Sequence, residues 1–158
     1  MIHDIERLLF HEAHLLDSGR YREWLELLAL NLRYWAPVRA NVSRAQEKQD
    51  ETQRLPLFDE NKASLILRVD RLDTELAWTE IPPTRTRRFI SNITADTEQD
   101  GLVLVRSNFM VFRSRSFREE WLVVGCREDK WSTGGKWLLR ERKILVDHCT
   151  VENLSLFL

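Results

Sequence analysis

Residues 78–93 read WTEIPPTRTRRFISNI and residues 105–115 read VRSNFMVFRSR, and this passage decides the fold. Upstream of it, Leu65, Val69, Leu72 and Leu76 recur at helical spacing, which predicts a helix over Asn61–Ala77. Pro82 and Pro83 stop that pattern, because proline lacks a backbone donor and its ring clashes with the preceding turn. Downstream, four strands are expected with no helix between them. They cover Arg85–Ala95, with Phe89, Ile93 and Ala95 on one face, then Gly101–Arg113, Phe117–Arg127 and Trp137–Thr150. Ser114-Arg115-Ser116 and Trp131-Ser132-Thr133-Gly134-Gly135 supply the hairpin turns.

Working back to the start, Ile5, Leu8, Leu9, Ala13 and Leu16 form one helical stripe over Ile2–Leu16, closed by Asp17-Ser18-Gly19. A second helix is expected over Arg20–Leu32, burying Tyr21, Trp24, Leu25, Leu28 and Leu32. A short extended piece then runs to Pro37. Residues 39–61, containing RANVSRAQEKQDETQR, are polar and aperiodic and are expected to form a long surface loop. The fold class is therefore α+β over a single domain, 1–158. Three N-terminal helices pack on a long, strongly curved mixed or antiparallel sheet.

With 158 residues, 43% hydrophobic and 31% charged, the chain has the makeup of a globular domain. A net charge of -1 weighs against nucleic acid as a partner. No apolar run approaches the ~20 residues of a membrane span. Two cysteines, Cys126 and Cys149, without CxxC spacing suit a reducing compartment, and a cytoplasmic location is expected.

The stretches FHEAHLLDSGRYREWLELL (10–28), RYWAPV (33–38), RVDRL (68–72), AWTEIPPTRTRRFISNI (77–93), VRSNFMVFRSR (105–115) and LLRERKILVDHCTVENLSLFL (138–158) carry a likeness over nearly the whole chain. The chain resembles the small, or beta, subunit of aromatic-ring-hydroxylating Rieske non-haem iron dioxygenases. These lie within the superfamily of nuclear transport factor 2 and scytalone dehydratase. The resemblance implies a cone-shaped fold and no cofactor in this chain. It places the 2Fe–2S Rieske cluster and the mononuclear Fe(II) in a separate large (alpha) subunit. It also implies three small and three large chains (α3β3), self-association as a trimer, cis-dihydroxylation of arenes, and electrons from NAD(P)H through a reductase and ferredoxin.

The residues themselves agree with a chain lacking catalytic, cofactor or metal residues. Two cysteines without paired histidine spacing do not make a Rieske set. His11, His14 and Asp17 fan out at ~100° per helical residue and converge poorly on one ion. The rival expectation is an acid–base enzyme working inside the cone, a dehydratase or isomerase, with Tyr34, Asp17, Asn108 and His148 as candidates and Arg106 beside them. Asp147 and His148 adjoin in a strand and face opposite ways, so they do not form a pair. Arginine and tryptophan concentrate in interface cores. On that ground Trp78, Arg85, Arg87, Arg88, Arg113, Arg115 and Trp121 are the candidate subunit interface. The plainer alternative is that the tryptophans fill this chain's own core.

Overall fold

The computed structural model describes residues 1–38, 56–78, 84–98, 100–115, 119–147 and 157–158. Helix α1 (Ile2–Asp17) and a short α2 (Tyr21–Leu25) lead into β1 (Leu28–Ala36). Strand β2 (Phe58–Glu60) precedes helix α3 (Lys62–Trp78). Four strands follow: β3 (Arg85–Thr97), β4 (Val103–Arg115), β5 (Glu119–Ser132) and β6 (Leu138–Val146). They form one sheet in the order β2-β1-β6-β5-β4-β3. The β1–β6 pair is parallel and the others are antiparallel, so the sheet is mixed.

Two expectations are corrected. The helix foreseen over Arg20–Leu32 ends at Leu25, and Leu28 and Leu32 belong to β1. Leucine favours helix, and Tyr21, Trp24, Leu25, Leu28 and Leu32 fit a helical stripe. From Leu32 onward, however, Leu32, Tyr34 and Ala36 are buried while Arg33 is exposed, which is strand alternation. Pairing with β6, where Tyr34 lies opposite Arg142, overrides local propensity. The expected loop over 39–61 also contains β2, which pairs Phe58 with Ala36 and Glu60 with Tyr34. Residues 39–55, Pro82, Pro83, Ser116, His148 and Cys149 lie outside the described residues.

A third correction concerns β3. Phe89 does not share a face with Ile93 and Ala95. The pairing with β4 shifts between Ser91 and Thr94, and Asn92 sits there at φ 53. This bulge exchanges the two faces of the strand. Before it Thr86, Arg88 and Ile90 point inward and Phe89 is 52% exposed; beyond it Ile93 and Ala95 pack on the core.

The core lies between the helices and the inner sheet face. It collects Ile5, Leu9 and Leu16 of α1, Trp24 of α2, Leu65 and Val69 of α3, and Val105, Phe109, Val111 and Ile144 of the sheet. One close approach needs glycine. A Cβ at Gly125 would lie 2.2 Å from the Leu145 carbonyl oxygen and 2.9 Å from the Phe109 ring.

Candidate functional site

The interior holds charge as well as apolar groups. Arg127 and Asp129 come from β5, Arg142 from β6 and Glu12 from α1, and all four are at most 3% exposed. Inward-pointing positions of a strand alternate, so Ser107 of β4, Arg127 and Ile144 form one cross-strand row, and Val105, Asp129 and Arg142 the next. Arg142 fills both rows of donors: Nε and Nη2 donate to Asp129 at 2.8 and 2.7 Å, and Nη1 and Nη2 donate to Glu12 at 2.8 Å each. Trp24 Nε1 donates to Glu12 at 3.0 Å. Arg127 donates to Ser107 at 3.3 Å and to Glu12 at 3.4 Å. Two cations face two anions, so the cluster is neutral as a whole.

Burial alone would raise the Glu12 carboxyl, but Arg142 and Arg127 outweigh it and hold it at about 2. Burial would lower Arg142, yet Asp129 and Glu12 hold it well above its ordinary value. Arg127 is lowered, by burial and then by repulsion from Arg142. The sign for Glu12 is that of a depressed carboxyl. Its contribution to stability is complete above its ordinary 4.5 and is lost as pH falls toward 2. Chemical denaturation midpoints should therefore fall steeply between those values, and Glu12→Gln should flatten that segment. An unchanged slope in the variant would contradict the assignment.

The interior candidates for acid–base chemistry are already engaged or point elsewhere. Burial raises the Tyr34 hydroxyl. That hydroxyl donates to the Leu158 main-chain oxygen and accepts from the Leu158 N–H at 2.7 Å. Asp17 accepts from the Arg88 backbone N–H at 2.9 Å, from Arg88 Nη1 at 2.5 Å and from Thr86 at 3.2 Å. Arg106 and Asn108 are exposed on the outer face, with Arg106 paired to Asp96 at 2.9 Å. His148 falls outside the described residues. The candidates thus do not converge on one empty space. A cleft of about 360 Å³ between α1 and β3 is lined by Phe10, His14, Asp17, Arg87 and Arg88 among others, and of the acid–base candidates among the described residues it takes in Asp17 but not Tyr34 or Asn108. Among the described residues no three His, Cys, Asp or Glu side chains surround a common point.

The interface candidates divide between faces. Arg85 and Arg87 are exposed on β3, and Arg115 is exposed at the end of β4. Arg113 and Trp121 are cross-strand partners and half-buried. Trp78 ends α3. Arg88 departs from the expectation: its side chain is 4% exposed, turned inward, and paired to Asp17. Trp24 and Trp131 belong to the core, and Trp121 and Trp137 pack against it.

What the composition alone did not mark is the outer apolar band. Register places Arg87, Phe112 and Leu122 in one row and Phe89, Met110 and Val124 in the next. Phe89 and Leu122 are 52% and 43% exposed. The alternation of β4 and β5, taken in register, carries this signal.

A family model described as the ring hydroxylating beta subunit matches residues 11–153. The chain belongs to this family. The beta subunit is similar over 99% of its length to a chain of naphthalene 1,2-dioxygenase solved with indole bound in the active site, at 30% identity, 85% of that chain and a TM-score of 0.84. It shares the fold of the beta subunit of benzoate 1,2-dioxygenase from Burkholderia mallei, with 20% identity, 99% and 97% coverage and a TM-score of 0.81. A scytalone dehydratase-like protein from Novosphingobium aromaticivorans has the same fold at 16% identity, 91% and 82% coverage and a TM-score of 0.66. The beta-subunit match makes this chain a component of a ring-hydroxylating dioxygenase rather than a stand-alone cavity enzyme. Among the described residues no helix is long and apolar enough to cross a membrane.

Proposed function

We propose that this chain is a single-domain, non-catalytic scaffold. It trimerises and seats large subunits that carry the Rieske cluster and the mononuclear Fe(II), in an α3β3 complex that cis-dihydroxylates an arene in the cytoplasm. NAD(P)H would supply electrons through a reductase and ferredoxin. The observation that carries this reading is the division of labour between the two sheet faces. The inner face carries the apolar core and a charge-neutral buried cluster whose Glu12, Asp129 and Arg142 are committed to one another. The outer face offers apolar side chains bordered by arginine. Monomeric proteins seldom leave a contiguous apolar band exposed, and bands of this kind mark protein–protein contact.

The test is light-scattering mass of the chain with and without the large subunit. Leu122→Asp and Arg87→Glu are expected to reduce the assembled mass by at least about tenfold weaker association. Both sites are exposed, so stability of the isolated chain should change by about 0.5 kcal/mol or less. Assembly equal to the parent in both variants would remove the outer face from the proposal. Iron bound stoichiometrically by this chain alone would remove the scaffold role.

A further inference from the structure

Phe157 and Leu158 are 2% and 3% exposed, and they enter the interior as a ligand enters a pocket. No sheet register includes them. Among the described residues each polar contact to them comes from a side chain, and the donors and acceptors sit on three different strands. Arg88 Nη2 of β3 donates to the Phe157 carbonyl at 2.7 Å. Tyr34 of β1 receives the Leu158 N–H and donates to its main-chain oxygen. Arg142 Nη1 of β6 reaches the same oxygen at 3.4 Å. The Phe157 ring lies 4.6 Å from Trp24 and 5.6 Å from Tyr21, with the Arg68 guanidinium 4.6 Å from its centre. Aromatic walls plus a few fixed polar groups are the usual composition of a small-molecule pocket.

The walls are held independently of what they enclose. Arg142 is fixed by Asp129 and Glu12, and Arg88 by Asp17 and Thr86. Arg68 is fixed by Glu60 at 2.9 Å, and Trp24 by Glu12. The three arginines and Trp24 thus have anchors outside the slot, and the Tyr34 ring is held by stacking on Phe58 at 5.7 Å, so the walls keep their shape when the occupant leaves, which is preorganisation.

We infer that the interior is a built binding slot for an aromatic ring joined to a secondary amide and a short aliphatic group, and that Phe157–Leu158 is its standing occupant in the same chain. The slot is thereby closed to other small molecules while this segment is seated. This stands apart from the assembly role and does not depend on it.

The test uses the full chain and a variant ending at Leu156, with N-acetyl-phenylalanyl-leucinamide and N-acetyl-alanyl-leucinamide as probes. Calorimetry should show 1:1 binding of the phenylalanyl probe to the shortened chain, at least about tenfold tighter than the alanyl probe. The same probe should raise the lowered Tm of the shortened chain, and the full chain should bind neither. Where the shortened chain does not fold alone, the phenylalanyl probe should restore a cooperative transition. Phe157→Ala supplies a second readout, since its vacated ring space should take toluene. No binding or rescue by either route would overturn the inference. Equal binding of the probe to the full chain would overturn it too, because the site would then lie elsewhere.

Discussion

Arg142→Met should destabilise the chain by about 3–5 kcal/mol, the cost of removing one partner from a buried ion pair. The side chain is fully buried and donates four hydrogen bonds to two carboxylates that are themselves buried. Methionine of similar length fills the volume but leaves Asp129 and Glu12 facing a thioether. Arg127, at 3.6 Å from Asp129 and 3.4 Å from Glu12, is left as their remaining cation. An exposed pair would be worth well under about 1 kcal/mol, so burial is what makes this substitution severe. The pair should also couple. In a cycle with Asp129→Leu, the double variant should cost at least about 1 kcal/mol less than the sum of the singles. Urea denaturation at one fixed protein concentration measures all four corners. Additive losses would mean that Arg142 acts through packing and its other partners, not through Asp129.

The strand-rich half was legible because its signals are local. Paired prolines, alternation and a Gly-Gly turn fix β3 to β6 without knowledge of the rest of the chain. The switch from α2 into β1 was not legible. Leu28 and Leu32 fit a helix by spacing, and the decision lies with a parallel neighbour more than a hundred residues away, where Leu28 faces Leu139. The bulge at Asn92 was hidden for a related reason. A strand pattern read with period two carries straight through it and assigns Phe89 to the wrong face. The buried charges were the least legible part. Glu12 is one charged residue in a helix that reads as simply amphipathic, and the sequence around Arg127, Asp129 and Arg142 resembles an ordinary charged hairpin. Only the meeting of α1 with β5 and β6 shows that these charges compensate one another, and periodicity cannot express a meeting of that kind.

Asp17→Ala should cost the chain about 3–5 kcal/mol as well, for the same reason seen from the other partner. Asp17 ends α1 and closes it onto β3 by accepting one backbone and two side-chain hydrogen bonds. Arg88 beside it is 4% exposed, so the alanine variant leaves a guanidinium with little access to water. Its remaining acceptors are the Thr86 hydroxyl at 3.1 Å and the Phe157 carbonyl at 2.7 Å, neither of them charged. Asp17→Asn keeps one acceptor oxygen, for either the Arg88 backbone N–H or a guanidinium N–H but not both, and removes the charge, so its loss should fall between parent and alanine. Arg88→Met in the Asp17→Ala background removes the stranded cation and should recover part of the loss, as compensated removal of a buried pair does. The ordering parent, Asp17→Asn, Asp17→Ala in denaturation midpoint, with recovery in the double variant, is the signature of a structural ion pair. If Asp17 were instead a catalytic acid or base in an interior cavity, Asp17→Asn would abolish turnover while leaving the midpoint near that of the parent. A normal midpoint for Asp17→Ala would show that the end of α1 is held to the sheet by packing, and that Arg88 finds its compensation elsewhere.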